Sequence, residues 1–191
     1  MPLLGSRDAL PSRPRRVLVG GTSGSGKSTL AREISTRAGL PYTEIDALHH
    51  GPGWTVRTQF LAEVEALSGR PRWVTEYQYE QARPVLLARC DLVVYLLLPR
   101  ALVMGRVVRR TVRRALRRQL LWNGNVEPPL RTLLTNPDHI IRWAWRTHGL
   151  GPARVNDIAA GYPHLPIVVL RSPHEAEEWT LGPLTDAGAW P

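Results

Sequence analysis

Residues 21–28 read Gly-Thr-Ser-Gly-Ser-Gly-Lys-Ser, and they fit the pattern G-x-x-x-x-G-K-[ST] at every fixed position. A short apolar, β-branched run, Arg-Val-Leu-Val-Gly at 16–20, precedes them, and a stretch with helical periodicity follows until Gly39. Glycines at 21, 24 and 26 let the backbone fold into a concave nest whose N–H groups point inward at an anion. The helix that starts near Lys27 adds its N-terminal partial positive charge. A buried strand, an anion nest and a helix in that order confine the chain to an α/β fold. They imply that the phosphates of ATP, or another nucleoside triphosphate, rest on Gly21, Thr22, Ser23, Gly24, Ser25, Gly26, Lys27, Ser28 and Thr29. Lys27 would reach the β- and γ-phosphates, and the Ser28 hydroxyl would ligate Mg2+.

Composition sharpens the role of Lys27. Of the 25 basic residues 24 are arginine, so the single lysine of the chain is the one inside the glycine-rich loop. A compact ammonium is required there, where a planar guanidinium would not serve. The net charge of +9 points to anionic partners. No run of apolar residues reaches membrane-span length, and one cysteine, Cys90, excludes an internal disulfide framework and any cysteine-based zinc site. Cys90 reads as a buried structural thiol, and the whole as cytoplasmic.

Further strands are expected at 41–46, 73–76, 91–98 and 166–170, alternating with helices at 57–67, 80–89 and after Ser172. That is a three-layer α/β fold with a five-stranded parallel sheet covered on both faces. Ser172, Pro173 and Glu175 form a capping box, and Asn136-Pro137 opens a helix over 139–148. Residues 1–14 read as a disordered lead, 15–181 as one domain with a helical lid at about 100–150, and 182–191 as a tail. The oligomeric state is left open.

These motifs resemble the small phosphate-loop kinases related to adenylate kinase, and more closely the group called DNA topology modulation protein. The resemblance rests on Gly-Thr-Ser-Gly-Ser-Gly-Lys-Ser-Thr, Ile-Asp-Ala-Leu-His-His at 45–50, Gly53-Trp54, Trp-Val-Thr-Glu-Tyr-Gln-Tyr at 73–79, Arg83, the run 91–100, and an arginine-rich helix followed by a tryptophan-bearing one. It implies strand order 2-3-1-4-5 and an arginine-bearing lid over the phosphates. Where the group has Asp-Gly-Asn-Tyr, this chain has Glu76-Tyr77-Gln78-Tyr79, which keeps a carboxylate but lengthens it.

Ligands of parallel sheets gather beyond the carboxyl ends of the strands. Asp46 and Glu76 end two of the expected strands. Glu76 suits the metal, holding a magnesium-bound water, and Asp46 suits orienting or deprotonating an acceptor hydroxyl. His49 and His50 lie beside them. Trp54 could stack on an acceptor ring or cap the core, Arg57 could hold the acceptor's anionic group, and Arg83 belongs to the same substrate side.

Arg106, Arg109, Arg110, Arg113, Arg114, Arg117 and Arg118 recur at spacings of three and four. They form a cationic strip opposite Val108, Val112, Ala115 and Leu116. Like charges at this spacing destabilise a helix, so something anionic should compensate. Arg106 and Arg110 are expected to act on the transferring phosphoryl group and Arg109 to hold the nucleotide. The surplus keeps nucleic acid open as a second partner, in a nucleic-acid-associated regulatory NTPase. Of Trp143 and Trp145, at least one is expected in the core.

Overall fold

The computed structural model describes residues 3–128, 132–136 and 139–188. In chain order the elements are β1 (Leu3–Leu4), β2 (Arg16–Gly21), α1 (Lys27–Ala38), α2 (Ile45–His49), α3 (Phe60–Ser68), β3 (Trp73–Glu76), α4 (Arg83–Leu87), β4 (Leu92–Leu96), α5 (Arg100–Leu116), α6 (Thr132–Thr135), α7 (Ile140–Thr147), α8 (Gly151–Gly161), β5 (Ile167–Leu170), α9 (Pro173–Leu181) and α10 (Pro183–Gly188). The strands make one parallel sheet in the order β1-β5-β4-β2-β3. The α/β class, the parallel sheet and the helices on both faces are as the sequence implies.

Three details differ. Residues 41–46 do not form a strand: Tyr42 makes a single bridge to Val74, and the chain turns at once into α2. The reason is local, since the Glu76 carboxylate accepts the Ile45 N–H at the first turn of α2 and so stabilises a helix start there. The fifth strand comes instead from the segment expected to be disordered, whose Leu3 and Leu4 pair with Ile167 and Val168. Ser6 and Arg7 then fix that segment to Glu178 on α9 at 2.7 and 2.6 Å. The expected tail likewise contains α10, with Leu184 and Ala187 buried.

Every residue of β3, β4 and β5 is buried, as a sheet sandwiched between helices demands. One face packs on α1, α7, α9 and α10 through Val17, Val19, Ile34, Ala144, Trp179 and Leu184. The other packs on α3, α4 and α8 through Leu18, Phe60, Leu86, Trp73 and Ile158. The register aligns the strand ends: Val19 stands opposite Glu76, and Gly21 opposite Leu96. The phosphate loop therefore leaves the sheet level with the last residue of β3. Gly20 is required where β2 passes Tyr95, because a Cβ there would lie 2.3 Å from the ring.

The N-terminus of α9 carries the expected capping residues. The Ser172 hydroxyl accepts the Glu175 N–H at 3.0 Å, and the Glu175 carboxylate reaches back to the Arg171 N–H at 2.7 Å. His139, buried, caps α7 by accepting the Ile141 N–H; Pro137, expected in that cap, lies outside the described residues.

Leu18, fully buried at the centre of β2, is a direct test of this packing. Leu18→Ala is expected to lower the unfolding free energy by about 2–5 kcal/mol in a denaturant titration, with an unchanged slope.

Candidate functional site

The phosphate loop is built as its sequence requires. Gly24 adopts φ of +84°, and a Cβ on it would meet Val107 of α5 at 2.3 Å. Only glycine satisfies both demands. The loop thereby lies directly against the lid helix. The Ser25 N–H donates to the Thr22 carbonyl at 3.0 Å, closing the turn. The Lys27 ammonium donates to the Thr22 carbonyl at 3.3 Å. Burial pulls its pKa below the ordinary lysine value, and the nearby Asp46 and Glu76 carboxylates oppose that shift.

The helix α5 corrects the expected division of its faces. Val103, Val107 and Thr111 are the buried positions, whereas Val108 and Leu116 are exposed, Leu116 by 77%. At about 100° per residue, Arg106, Arg110 and Arg114 interleave with that buried row instead of opposing it. Packing of the row turns two of them onto the loop. Arg106 donates to the Ser25 carbonyl and Arg110 to the Ser23 hydroxyl, each at 3.2 Å. Burial, and then the neighbouring Arg114, lower the Arg110 pKa from its ordinary value.

The compensating anion is Glu127, which sequence reasoning missed. It is buried, accepts from Thr111 and lies 3.9 Å from Arg114. Arg114 also lies over the Trp122 ring. Arg109 and Arg113 line a cleft of about 680 Å³ between α1, α5 and α9, together with Gly26, Thr29, Pro173 and Ala176. Five of the seven arginines thus have a place within the fold or its cleft. That removes most of the surplus on which a nucleic-acid partner depended. Trp143 and Trp145 are both half-exposed, against expectation, and arginines lie on their rings.

At the ends of the strands, Glu76 is buried and doubly held. Its Oε1 accepts from the Tyr42 hydroxyl at 2.5 Å and its Oε2 from the Ile45 N–H at 3.1 Å. Ser28 lies near enough to the Tyr42 hydroxyl to act on its titration. Ser28 and Glu76, the two expected magnesium residues, thus both act on the Tyr42 hydroxyl. No group of three or more carboxylate, histidine or cysteine ligands occurs among the described residues. A hydroxyl and one carboxylate are nevertheless a set that suits Mg2+, which keeps several waters and takes the rest of its shell from phosphate.

Asp46 lies on α2, with Gln78 Nε2 and the Tyr79 hydroxyl donating to its Oδ1 at 2.6 and 2.5 Å. Tyr79 has φ of +58°, a backbone conformation that costs energy in a tyrosine and marks a position held for its side chain. Its hydroxyl also lies 3.0 Å from His50 Nε2. With the one phenolic proton on Asp46, the imidazole must be the donor, which fixes the proton of His50 on Nε2. His49 stacks on the Tyr79 ring at 3.7 Å.

Trp54 neither caps the core nor stands free. Its N–H donates to Asn125 Oδ1 at 3.0 Å and its indole N–H to the Val126 carbonyl at 3.2 Å. Asn125 Nδ2 donates in turn to the Gly51 carbonyl at 2.8 Å, and Asn123 to the His50 carbonyl. His50, Trp54 and Trp122 pack ring against ring. The turn at the far end of the lid is thus clasped to the loop after α2. Arg57 is bound internally: it makes a two-pronged contact with Glu63 at 2.8 and 2.7 Å and donates to the Leu48 carbonyl. Its charge is already matched. Arg83 lies 5.1 Å over the Tyr77 ring. Cys90 is half-buried, its thiol pushed up to about 12 by burial and by Asp91.

Sequence reasoning missed Tyr42, Gln78, Tyr79, Asn125 and Glu127. Each is an ordinary polar or aromatic residue whose role exists only once distant segments meet. The clasp in particular joins residues 71 to 74 positions apart.

Fold and site together define an α/β phosphate-loop protein with an arginine-bearing helical lid. No family model matches the chain, and no curated protein matches it, so the resemblance to the DNA topology modulation group gains no support from either. Among solved structures it is similar to a gluconokinase from Sinorhizobium meliloti 1021, with 21% identity over 92% of this chain and 95% of that one and a TM-score of 0.49. It is also similar to a shikimate kinase from Acinetobacter baumannii in complex with shikimate, with 20% identity over 87% and 89% and a TM-score of 0.48. A sugar kinase from Janibacter sp. HTCC2649 matches at 20% identity over 92% and 98%, with a TM-score of 0.45. At this level of likeness no activity carries over, and the chain's own residues define its chemistry. No helix among the described residues is long and apolar enough to cross a membrane.

Two outcomes check this geometry. Burial depresses the pKa of both His49 and His50, the approach of His50 adding to the effect at His49 while Asp46 opposes it at both. The unfolded chain then binds protons more readily. Stability is complete above the unfolded histidine pKa of about 6.5 and is lost as pH falls through the lower folded values. The melting midpoint is expected to drop between about pH 7 and pH 5, and a His49→Gln, His50→Gln double variant to flatten that dependence. Asn125→Ala removes the acceptor of the Trp54 N–H, so hydrogen exchange at that amide should accelerate by about tenfold or more.

Proposed function

We propose that the chain is a magnesium-dependent kinase, adenylate kinase-related in architecture, that transfers the γ-phosphate of ATP to a hydroxyl of a small-molecule acceptor. The observation that carries this reading is the approach of Asp46 to Lys27. A hydrogen-bonded carboxylate stands within electrostatic reach of the ammonium that would hold the γ-phosphate. A hydrolase needs only the phosphate side of such a site. A carboxylate braced by Gln78 and Tyr79, beneath a loop clasped to the lid, suits a second substrate whose hydroxyl must be aimed.

In this reading the nest from Gly21 to Thr29 and Lys27 bind the phosphates, and the 680 Å³ cleft with Arg109 takes the rest of the nucleotide. Ser28 and, through water, Glu76 would hold magnesium, which supplies charge neutralisation across the β- and γ-phosphates. The acceptor oxygen attacks the γ-phosphorus while the bond to the β-phosphate oxygen breaks. Asp46 takes the hydroxyl proton, and ADP leaves. Tyr79, its pKa raised by burial and by Asp46, stays a neutral donor that fixes the carboxylate. Arg106 and Arg110 are aimed at the loop, where charge builds on the transferring group. The clasp of Asn125 on Gly51 and Trp54 excludes water during transfer, so ATP is conserved until an acceptor is in place. Trp54 and Arg57 would act here by shaping the acceptor loop, since both are bonded within it.

Asp46→Asn is expected to lower acceptor-dependent kcat by about 10²–10⁴-fold with little change in the KM for ATP. Lys27→Ala should abolish turnover, losing at least about 10²-fold in kcat/KM. A coupled assay for ADP release with and without acceptor reads both. Near-normal transfer by Lys27→Ala would overturn the assignment, and ATP consumption indifferent to any acceptor would favour a regulatory NTPase instead.

A further inference from the structure

Asp46 receives both of its donors on one oxygen. Gln78 Nε2 and the Tyr79 hydroxyl donate to Oδ1, and Oδ2 makes no hydrogen bond among the described residues. Oδ2 is therefore the oxygen left to meet an acceptor hydroxyl. Behind Oδ1 the contacts continue. The Tyr79 hydroxyl lies 3.0 Å from His50 Nε2, and His50 Nδ1 lies 3.4 Å from His49 Nδ1. Burial lowers both histidine pKa values, so each ring carries a single proton at neutral pH.

Those protons can be placed by elimination. Tyr79 has one proton and gives it to Asp46, so its oxygen accepts from His50 Nε2–H. His50 Nδ1 is then bare and accepts, which puts the His49 proton on Nδ1. Four groups thus form one chain of a single polarity, with every proton directed toward Asp46. Each bond in such a chain polarises the next, so the carboxylate is held more firmly than by its last bond alone. The His49 ring is fixed by stacking on Tyr79 at 3.7 Å and by Phe60, which meets it edge-on at 4.8 Å.

His50 is held in addition by the far turn of the lid. Trp122 stacks on its ring, with centroids 5.7 Å apart, and the Asn123 side chain donates to its carbonyl. Trp54, itself bonded to Asn125 and Val126, meets the same ring edge-on at 5.0 Å. Asn123 adopts φ of +54°, a conformation that persists only while its contacts hold it. One imidazole therefore belongs both to the chain that ends on Asp46 and to the clasp of the lid.

We propose that His50 is a positioning residue that ties Asp46 to the clasped lid: it aims the Tyr79 hydroxyl at the carboxylate, and Trp122 and Asn123 keep it in place. That Asp46 acts on an acceptor hydroxyl rests on the kinase reading, whereas the tie itself does not. With the clasp released, the imidazole loses its packing, the Tyr79 proton is free to turn away, and Oδ2 is no longer aimed. The acceptor proton is then taken up by Asp46 efficiently only under a closed lid.

Two measurements on the full chain separate the claims. The first is independent of turnover. Imidazole ¹H–¹⁵N spectra are recorded at neutral pH with magnesium and a non-hydrolysable ATP analogue bound. The proton is expected on Nε2 of His50 and on Nδ1 of His49, the latter being the minor tautomer of a free ring. Trp122→Ala should speed exchange of the His50 Nε2 proton with water by about tenfold or more. The opposite placement at either ring, or unchanged exchange in Trp122→Ala, overturns the tie.

The second follows acceptor-dependent ADP release in variants shown to be folded by far-UV spectra and melting midpoints. His50→Leu is expected to lower kcat about tenfold or more with KM for ATP unmoved, whereas His50→Gln, which keeps an N–H donor near the place of Nε2, recovers most of that loss. Because Tyr79 and Trp122 act through the same imidazole, adding Tyr79→Phe or Trp122→Ala to His50→Leu should cost little more than the larger single loss. A His50→Gln variant as impaired as His50→Leu, or losses that multiply, would indicate a merely structural histidine and overturn the proposal. Wild-type kcat in His50→Leu overturns it while leaving the kinase reading intact. The expected tautomers and exchange without transfer to any acceptor would uphold the tie and overturn the kinase reading.

Discussion

The seating of Gly24 against Val107 is the contact on which the rest of the site depends. With no room for a Cβ, the phosphate loop and the lid helix share one packed interface. That interface fixes the rotation of α5, because Val103, Val107 and Thr111 must be the buried row. Rotation in turn decides which arginines reach the loop. Arg106 and Arg110 follow from it, and so does the approach of Arg114 to Glu127. A helix carrying six arginines is tolerable because its cations are divided between the loop, one buried carboxylate, the cleft and the ring of Trp145.

The second half of the site is assembled from the opposite direction. The end of β3 supplies Glu76, Tyr77, Gln78 and Tyr79 in succession, and α2 lays Asp46 across them. Tyr42 holds Glu76, while Tyr79 braces Asp46 and meets His50. The clasp through Asn125 then ties the far end of the lid to the loop that carries Trp54. Backbone strain is concentrated in this region: Trp54, Tyr79 and Asn123 all adopt positive φ without being glycine. Such conformations persist only where surrounding contacts hold them, as expected where geometry matters to chemistry.

The α/β class and the phosphate loop were legible because both are written locally, in apolar runs and in one contiguous motif. Asp46 and Glu76 could be named as site residues from their position after apolar segments, although Asp46 reached its place on a helix and not at a strand end. The edge strand Leu3–Leu4 was not legible, since two residues carry no period and gain their stability from pairing with β5. The faces of α5 were misjudged for a related reason. Counting apolar residues placed Val108 and Leu116 inside, whereas the row chosen by packing includes Thr111, whose hydroxyl bonds to Glu127. Arg57 looked like a substrate ligand until the structure placed Glu63 beside it. Asn125 and Glu127 act only between segments distant in sequence, and no local pattern announces them.

The destination of the γ-phosphate tests the central claim most directly. Protein incubated with magnesium and ATP labelled at the γ-position, together with a panel of hydroxylated compounds, is predicted to move the label onto an organic acceptor. Label recovered solely as inorganic phosphate, at a rate no acceptor changes, would contradict a phosphotransferase built on Lys27 and Asp46.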